Sequence, residues 1–340
     1  ASGGDAPKND QAAESATRTF TDSAGREVEV PAQIDRIAPA GHTATQVLLT
    51  MAPDKLATLS QELTADQAKY LGGDYADLPV TGAAFGAKGD LNKEAVAAAG
   101  AQILIDTGEA KDGIKEDLDT LQTQLGIPVV FVETTMDTYG DAYEMLGELL
   151  GMEDRGAELS AYCKNAYDET VSVMAGIPED QRVRVAYLLG DAGTNTIAKN
   201  SYQGQVVDLV ANNVADLGKV SGSGSGTEVS LEQVSLWDPE LILFQEGSIY
   251  DTVGSDPAWA DLSAVKSGNY YEVPGAPWCW LNNPPTVNQV LGMQWLPRLL
   301  YPDHYDDDMY DTVAGYFKTF YGYDLSQAEF DEIAAHAQAK

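Results

Sequence analysis

The chain has 340 residues, with 20 lysines and arginines against 53 aspartates and glutamates, for a formal net charge of −33. That length suggests two domains, or two lobes of one architecture. The acidic excess argues against nucleic acid and against unassisted docking on an anionic membrane, and no apolar run is long enough to span a bilayer. Residues 1–17 are small and polar and read as a disordered leader or tether, either left after removal of a signal peptide or the floppy start of a cytoplasmic chain. Strand-like runs then alternate with helical patterns. "RIAPAG" at Arg36–Gly41 leads into "HTATQVLLTM". "AQILIDTG" at Ala101–Gly108 leads into "KEDLDTLQTQLG", and "IPVVFVETT" at Ile127–Thr135 into "DTYGDAYEMLGELLG". Short β-branched runs followed by amphipathic helices closed by glycine mark βαβ units, so residues 18–153 form one α/β lobe.

Residues 154–178 carry apolar side chains at Leu159, Tyr162, Cys163, Ala166, Tyr167, Val171 and Met174, the spacing of a long helix placed where a connector would sit. The alternation restarts over residues 179–302. Val183–Asp191, Pro239–Gly247 and Asn269–Gly275 read as strands, with helices over "YQGQVVDLVANNV" and "SLEQVSLWD". Residues 303–340 read as a helical tail broken near "YGYD". The glycines of Val220–Ser230 alternate and follow a helix, so that segment reads as a flexible surface loop and not as a phosphate-binding loop. The fold class is therefore α/β, in two lobes with a long helix at mid-chain.

"APWCWLNNPP", Ala276–Pro285, holds two of the five tryptophans in a segment that is neither helix nor strand. It reads as a rigid aromatic wall, held by Pro284 and Pro285 ahead of a helix that starts near Thr286. The alternative is that both indoles only pack the loop onto its lobe. The two cysteines, Cys163 and Cys279, are too few for a cysteine-rich metal site; two separate thiols is the plain reading and a disulfide the other.

Five segments together resemble the metal-chelate and vitamin B12 substrate-binding proteins of ABC importers. They are "FTDSAGREVEVPAQIDRIAPAGHTATQVL", "LNKEAVAAAGAQILID", "VSLEQVSLWDPELILF", "NNPPTVNQVLGMQWLPRLLYP" and "FKTFYGYDLSQAEFDEI", and their order covers nearly all of the chain after residue 18. The resemblance implies two Rossmann-like lobes joined by a single long helix, the class III periplasmic-binding-protein arrangement, with the ligand in the cleft between lobes. It implies an extracytoplasmic, monomeric protein without a resident cofactor, periplasmic or anchored as a lipoprotein, since "ASGG" normally follows a lipid-modified cysteine in such chains. The expected ligand is an iron–siderophore or similar metal chelate. Heme through His42 or Tyr202, cobalamin through the aromatic loop, and molybdate or tungstate through backbone donors are the alternatives.

Ligands of open α/β lobes bind at the carboxyl ends of strands. The candidates there are His42, Thr43, Phe85, Glu109 and Glu133 in the first lobe. In the second they are Asn195, Lys199, Tyr202, Gln245, Glu246, Trp278, Trp280 and Asn282. Lys88 and Lys199 are the only cations near these ends; a strongly anionic siderophore would call for an arginine cluster. Glu109, Glu133 and Glu246 are ligand contacts or solvated rim charges. The resemblance assigns Glu94 and Glu232, at matching places in "NKEAV" and "SLEQV", to docking on the permease subunits; ordinary helix-start acids are the competing reading. An enzyme built on Cys279 and His42 lacks a third, orienting residue, so a binding protein without catalysis is expected.

Overall fold

The computed structural model describes residues 16–86 and 89–340 of the chain. They fall into two compact units. The first holds the described residues through Glu62 with Asp74–Thr134 and Asp141–Glu158; the second holds Leu63–Gly73, Thr135–Gly140 and Leu159–Lys340. The expected leader lies outside the described residues except for Ala16 and Thr17, and Thr17 is already the first residue of a strand.

In the first unit β1 (Thr17–Thr21) and β2 (Glu27–Pro31) form an antiparallel hairpin whose Phe20, Val28 and Val30 are buried. β3 (Ile37–Pro39), β4 (Ile103–Gly108) and β5 (Val129–Glu133) form a parallel sheet in that order. Parallel strands need crossover helices. α1 (His42–Met51) follows β3, α2 (Lys93–Ala98) precedes β4, α3 (Ile114–Leu125) joins β4 to β5, and α4 (Tyr139–Leu150) follows β5. α3 buries only Leu118 and Leu121 and stops at Gly126, a left-handed cap with φ of 68°. Ile103, Leu104 and Ile105 are all fully buried, the two-sided burial of a covered parallel sheet.

Asp106 interrupts that apolar run. Burial pushes its carboxyl up to about 7, against the opposing pull of Lys111. A carboxyl raised above its unfolded value of 3.8 favours the fold fully below that value, and the contribution is lost as pH rises toward 7. Asp106→Asn is therefore expected to flatten the decline of the urea midpoint between about pH 4 and pH 7. An unchanged pH profile in the variant would show that Asp106 does not titrate in that window.

The second unit takes most of α5 (Glu153–Ala175), a continuous helix of 23 residues. Its strands are β6 (Arg184–Leu189), β7 (Asn195–Thr196), β8 (Asn212–Asn213), β9 (Thr227–Glu228), β10 (Leu241–Phe244) and β11 (Tyr270–Glu272). Their order is β11-β10-β6-β7-β9, with β8 also on β6. The β11-β10-β6 core is parallel, and β7 and β9 turn antiparallel at its edge. α6 (Leu231–Trp237) leads into β10, and α7 (Gln289–Leu300) follows the aromatic loop.

Two expectations change here, and one packing contact lies beyond what local pattern predicts. The helix expected over 202–214 is confined to Gln205–Val210, because Asn212 and Asn213 pair with Arg184 and Val185 as a strand. The tail packs with a helix from far upstream, Ala65–Leu71: Tyr70 meets Phe317 and Tyr323 edge-on at 5.2 and 5.0 Å, and Lys69 pairs with Glu329 at 2.7 Å. The glycine-rich loop is tied down. Asn195 Nδ2 donates to Ser225 O at 3.0 Å, and a Cβ on Gly226, at φ of 75°, would come within 2.5 Å of Thr196 O. Gly226 thus serves a close backbone approach.

Candidate functional site

β3 ends at Pro39 and α1 begins at His42, so Gly41–Thr43 stand at the carboxyl end of the first strand of the sheet. The N-cap is Gly41, which has no side chain to occupy the first-turn N–H groups, and the first turn carries no acid. His42 Nδ1 lies 2.7 Å from Ser60 Oγ, and Thr45 Oγ1 donates to the same oxygen at 2.7 Å. Ser60 and Thr45 thus set the imidazole, a pair that residue spacing gave no means of finding. Phe85 is 36% exposed, in the loop whose Ala84 N donates to Ala40 O at 2.7 Å. Glu109 and Glu133 stand at the ends of β4 and β5, both half-buried, and the Glu133 N–H donates to Ser23 Oγ at 2.9 Å.

In the second unit Asn195 lies in β7, while Gln245 and Glu246 directly follow β10. Gly275 abuts the Glu246 carboxylate so closely that a Cβ would come within 2.8 Å of it. Lys199 and Tyr202 occupy the segment after β7, where Asp208 Oδ2 accepts from the Asn200 N–H at 2.8 Å. Burial raises the Asp208 carboxyl above its ordinary range.

The aromatic loop is not the exposed wall expected from its composition. Trp280 is wholly buried; its Nε1 donates to Ala276 O at 2.8 Å and its ring meets Trp295 edge-on at 6.1 Å. Asn282 is wholly buried too, accepting from Tyr187 Oη at 2.6 Å. Trp278 keeps 8% exposure. Two polar residues at the start of α7 pin the loop: Asn288 Nδ2 donates to Trp278 O at 3.1 Å and Gln289 Nε2 to Leu281 O at 3.1 Å. A buried loop needs such partners for its backbone carbonyls. Trp280 and Asn282 therefore build the loop, and neither side chain is exposed.

Cys163 and Cys279 are both free thiols. Burial pushes the Cys279 thiol up, and its Sγ lies 3.5 Å from Asn282 Oδ1, the reverse of an activated thiolate. Among the described residues no group of three His, Cys, Asp or Glu side chains is placed to hold a metal ion. All seven arginines are engaged with partners outside the candidate residues. Arg18 reaches Glu148 and carbonyls of α4, and Arg26 pairs with Asp22 and Asp119. Arg36, Arg182 and Arg184 hold carbonyls at helix ends. Arg155 pairs with Glu158, and Arg298 with Glu169 and Asp307.

Glu94 and Glu232 sit in one structural module repeated in each unit. Asn92 and Ser230 cap α2 and α6 by accepting from the N–H three residues on. Each glutamate is the second helical residue and exposed; Val96 and Val234 are buried beneath. Gly100 and Asp238 then break the helix with φ of 72° and 44°, and Ile103 and Leu241 open β4 and β10. Arg36 and Arg184 even bond matching helix-end carbonyls, those of Ala99 and Trp237, while their own carbonyls accept from Gln102 N and Glu240 N at 2.9 Å each.

Comparison with known proteins agrees with this architecture. The family model described as "Periplasmic binding protein" matches residues 50–277. The molybdate-binding protein MolA of Haemophilus influenzae is 25% identical over 334 residues, which span 90% of this chain and 91% of that protein. The Fe(3+)-citrate-binding protein YfmC of Bacillus subtilis is 26% identical over 199 residues, spanning 57% of this chain and 60% of that one. Among solved structures, an ABC transporter solute binding protein from Sulfurospirillum deleyianum matches with a TM-score of 0.84 and 28% identity, over 93% of this chain and 98% of its own. The chain belongs to the periplasmic binding protein family and is a solute-binding protein of an ABC importer.

Proposed function

We propose that the solute is a small oxyanion of the molybdate type, captured outside the cytoplasm at Gly41–Thr43 and handed to the permease through Glu94 and Glu232. One observation carries the reading: every arginine is committed elsewhere, so an anion at Gly41–Thr43 is recognised by backbone N–H groups and hydroxyls. The start of α1, a ten-residue helix with a glycine cap and no first-turn acid, supplies them. The full-length likeness to a molybdate-binding protein supports the same ligand class. A ferric chelate is the second reading, favoured by the likeness to an iron-citrate-binding protein over 199 residues. In either case the chain acts as a monomer, free in the periplasm or tethered at the cell surface.

Calorimetry is the suitable probe, because it reads binding whether or not a tryptophan meets the ligand, and Trp259, Trp278, Trp280 and Trp295 are all buried. Titration with molybdate and tungstate is expected to give saturable binding with one site, and titration with ferric citrate none. Saturable binding of ferric citrate with no heat from either oxyanion would replace the first reading by the second.

A further inference from the structure

Leu236 is 75% exposed, while Val220, Val80, Val171 and Phe85 stand at 45, 43, 40 and 36%. A lone surface leucine needs no explanation. The position of this one does. It lies four residues after Glu232 on α6, so the two side chains share a face of the helix. The core makes no use of it: Val234 is fully buried and Leu231 and Trp237 already pack on the same apolar cluster. In the matching module α2 has Ala98 at the equivalent place.

We infer that Leu236 is an apolar knob that inserts into the membrane permease at the α6 contact, and that the α2 contact lacks one. This rests on the reading that Glu94 and Glu232 dock. Docking glutamates alone give contacts that salt weakens, and the chain presents two equivalent modules that carry one. An apolar side chain ringed by polar ones, here Glu232, Gln233 and Ser235, has the anatomy of an interface anchor. Leu236 makes the second unit's docking face distinct from the first.

The test is docking of the full chain to its permease complex in nanodiscs, read by surface plasmon resonance. Leu236→Ala is expected to weaken docking about tenfold, and Leu236→Asp further. The Leu236→Ala deficit is expected to persist in about 0.5 M salt, since an apolar contact is not screened. Val171→Ala, another exposed apolar position, is expected to dock as the parent does. Ligand affinity and Tm stay unchanged in all three. Docking of Leu236→Ala within about twofold of the parent, with Glu232→Lys strongly impaired, would overturn the knob and leave the docking glutamates standing. If Glu94→Lys and Glu232→Lys are silent as well, both readings fall together.

Discussion

Trp280→Ala is expected to cost about 3–5 kcal/mol of stability while the folded variant keeps its ligand affinity. The indole has no exposure, so the substitution opens a cavity that its surroundings cannot close. Trp295 is fixed on its far side by the Nε1 bond to Ala337 O at 2.8 Å. Gly292 of α7 runs so close to Trp280 O that even a Cβ would approach to 2.1 Å. The loop and helix are therefore in contact through backbone, which limits how far they can close on the void. Urea unfolding measures the first half of the expectation, and calorimetry well below the midpoint the second. Lost affinity with unchanged stability would return the indole to the ligand surface, where composition alone had put it.

That contrast shows what residue order could and could not reveal. β4, β5, β6 and β10 are legible because a parallel strand covered on both faces must be a continuous apolar run. The pairing of Glu94 with Glu232 is legible because cap, glutamate and valine recur at the same spacing before a strand. Trp278 and Trp280 lie in a stretch with neither helical nor strand period, so no pattern says which way an indole faces. A usable signal lay nearby: Asn288 and Gln289 are two amides at the head of a mainly apolar helix, and such residues are buried only with hydrogen-bond partners, here including the loop's carbonyls. The grouping of Tyr70 with Phe317 and Tyr323, and the anchoring of the glycine loop by Asn195, depend on contacts between distant segments, which local periodicity does not encode. For the site, strand ends pointed to candidates in both units, Gly41–Thr43 among them, without ranking them. The commitment of all seven arginines became visible only with their partners in place.

Asp22→Ala is expected to destabilise the first unit by about 3–5 kcal/mol, because it strands a buried guanidinium. The Asp22 side chain has no exposure and that of Arg26 only 7%. The carboxylate does four things at once. Oδ1 accepts from the N–H groups of Ala24 and Arg26 at 3.0 and 2.9 Å; Oδ2 accepts from Arg26 Nη1 at 2.9 Å and from Phe131 N at 3.2 Å. Arg26 in turn donates to Val129 O at 2.8 Å, so the pair stitches the β1–β2 hairpin to β5, one of the two outer strands of the sheet. Asp119 also meets Arg26, but at 67% exposure it sits in high dielectric and replaces little of the lost partner. Asp22→Asn is expected to cost less, since its carbonyl oxygen still caps the turn. Urea midpoints rank the two variants, and amide exchange at Phe131 is expected to quicken in Asp22→Ala. A loss below about 1 kcal/mol would mean that the pair behaves as a surface ion pair and that the hairpin is held by its apolar face, Phe20, Val28 and Val30, alone.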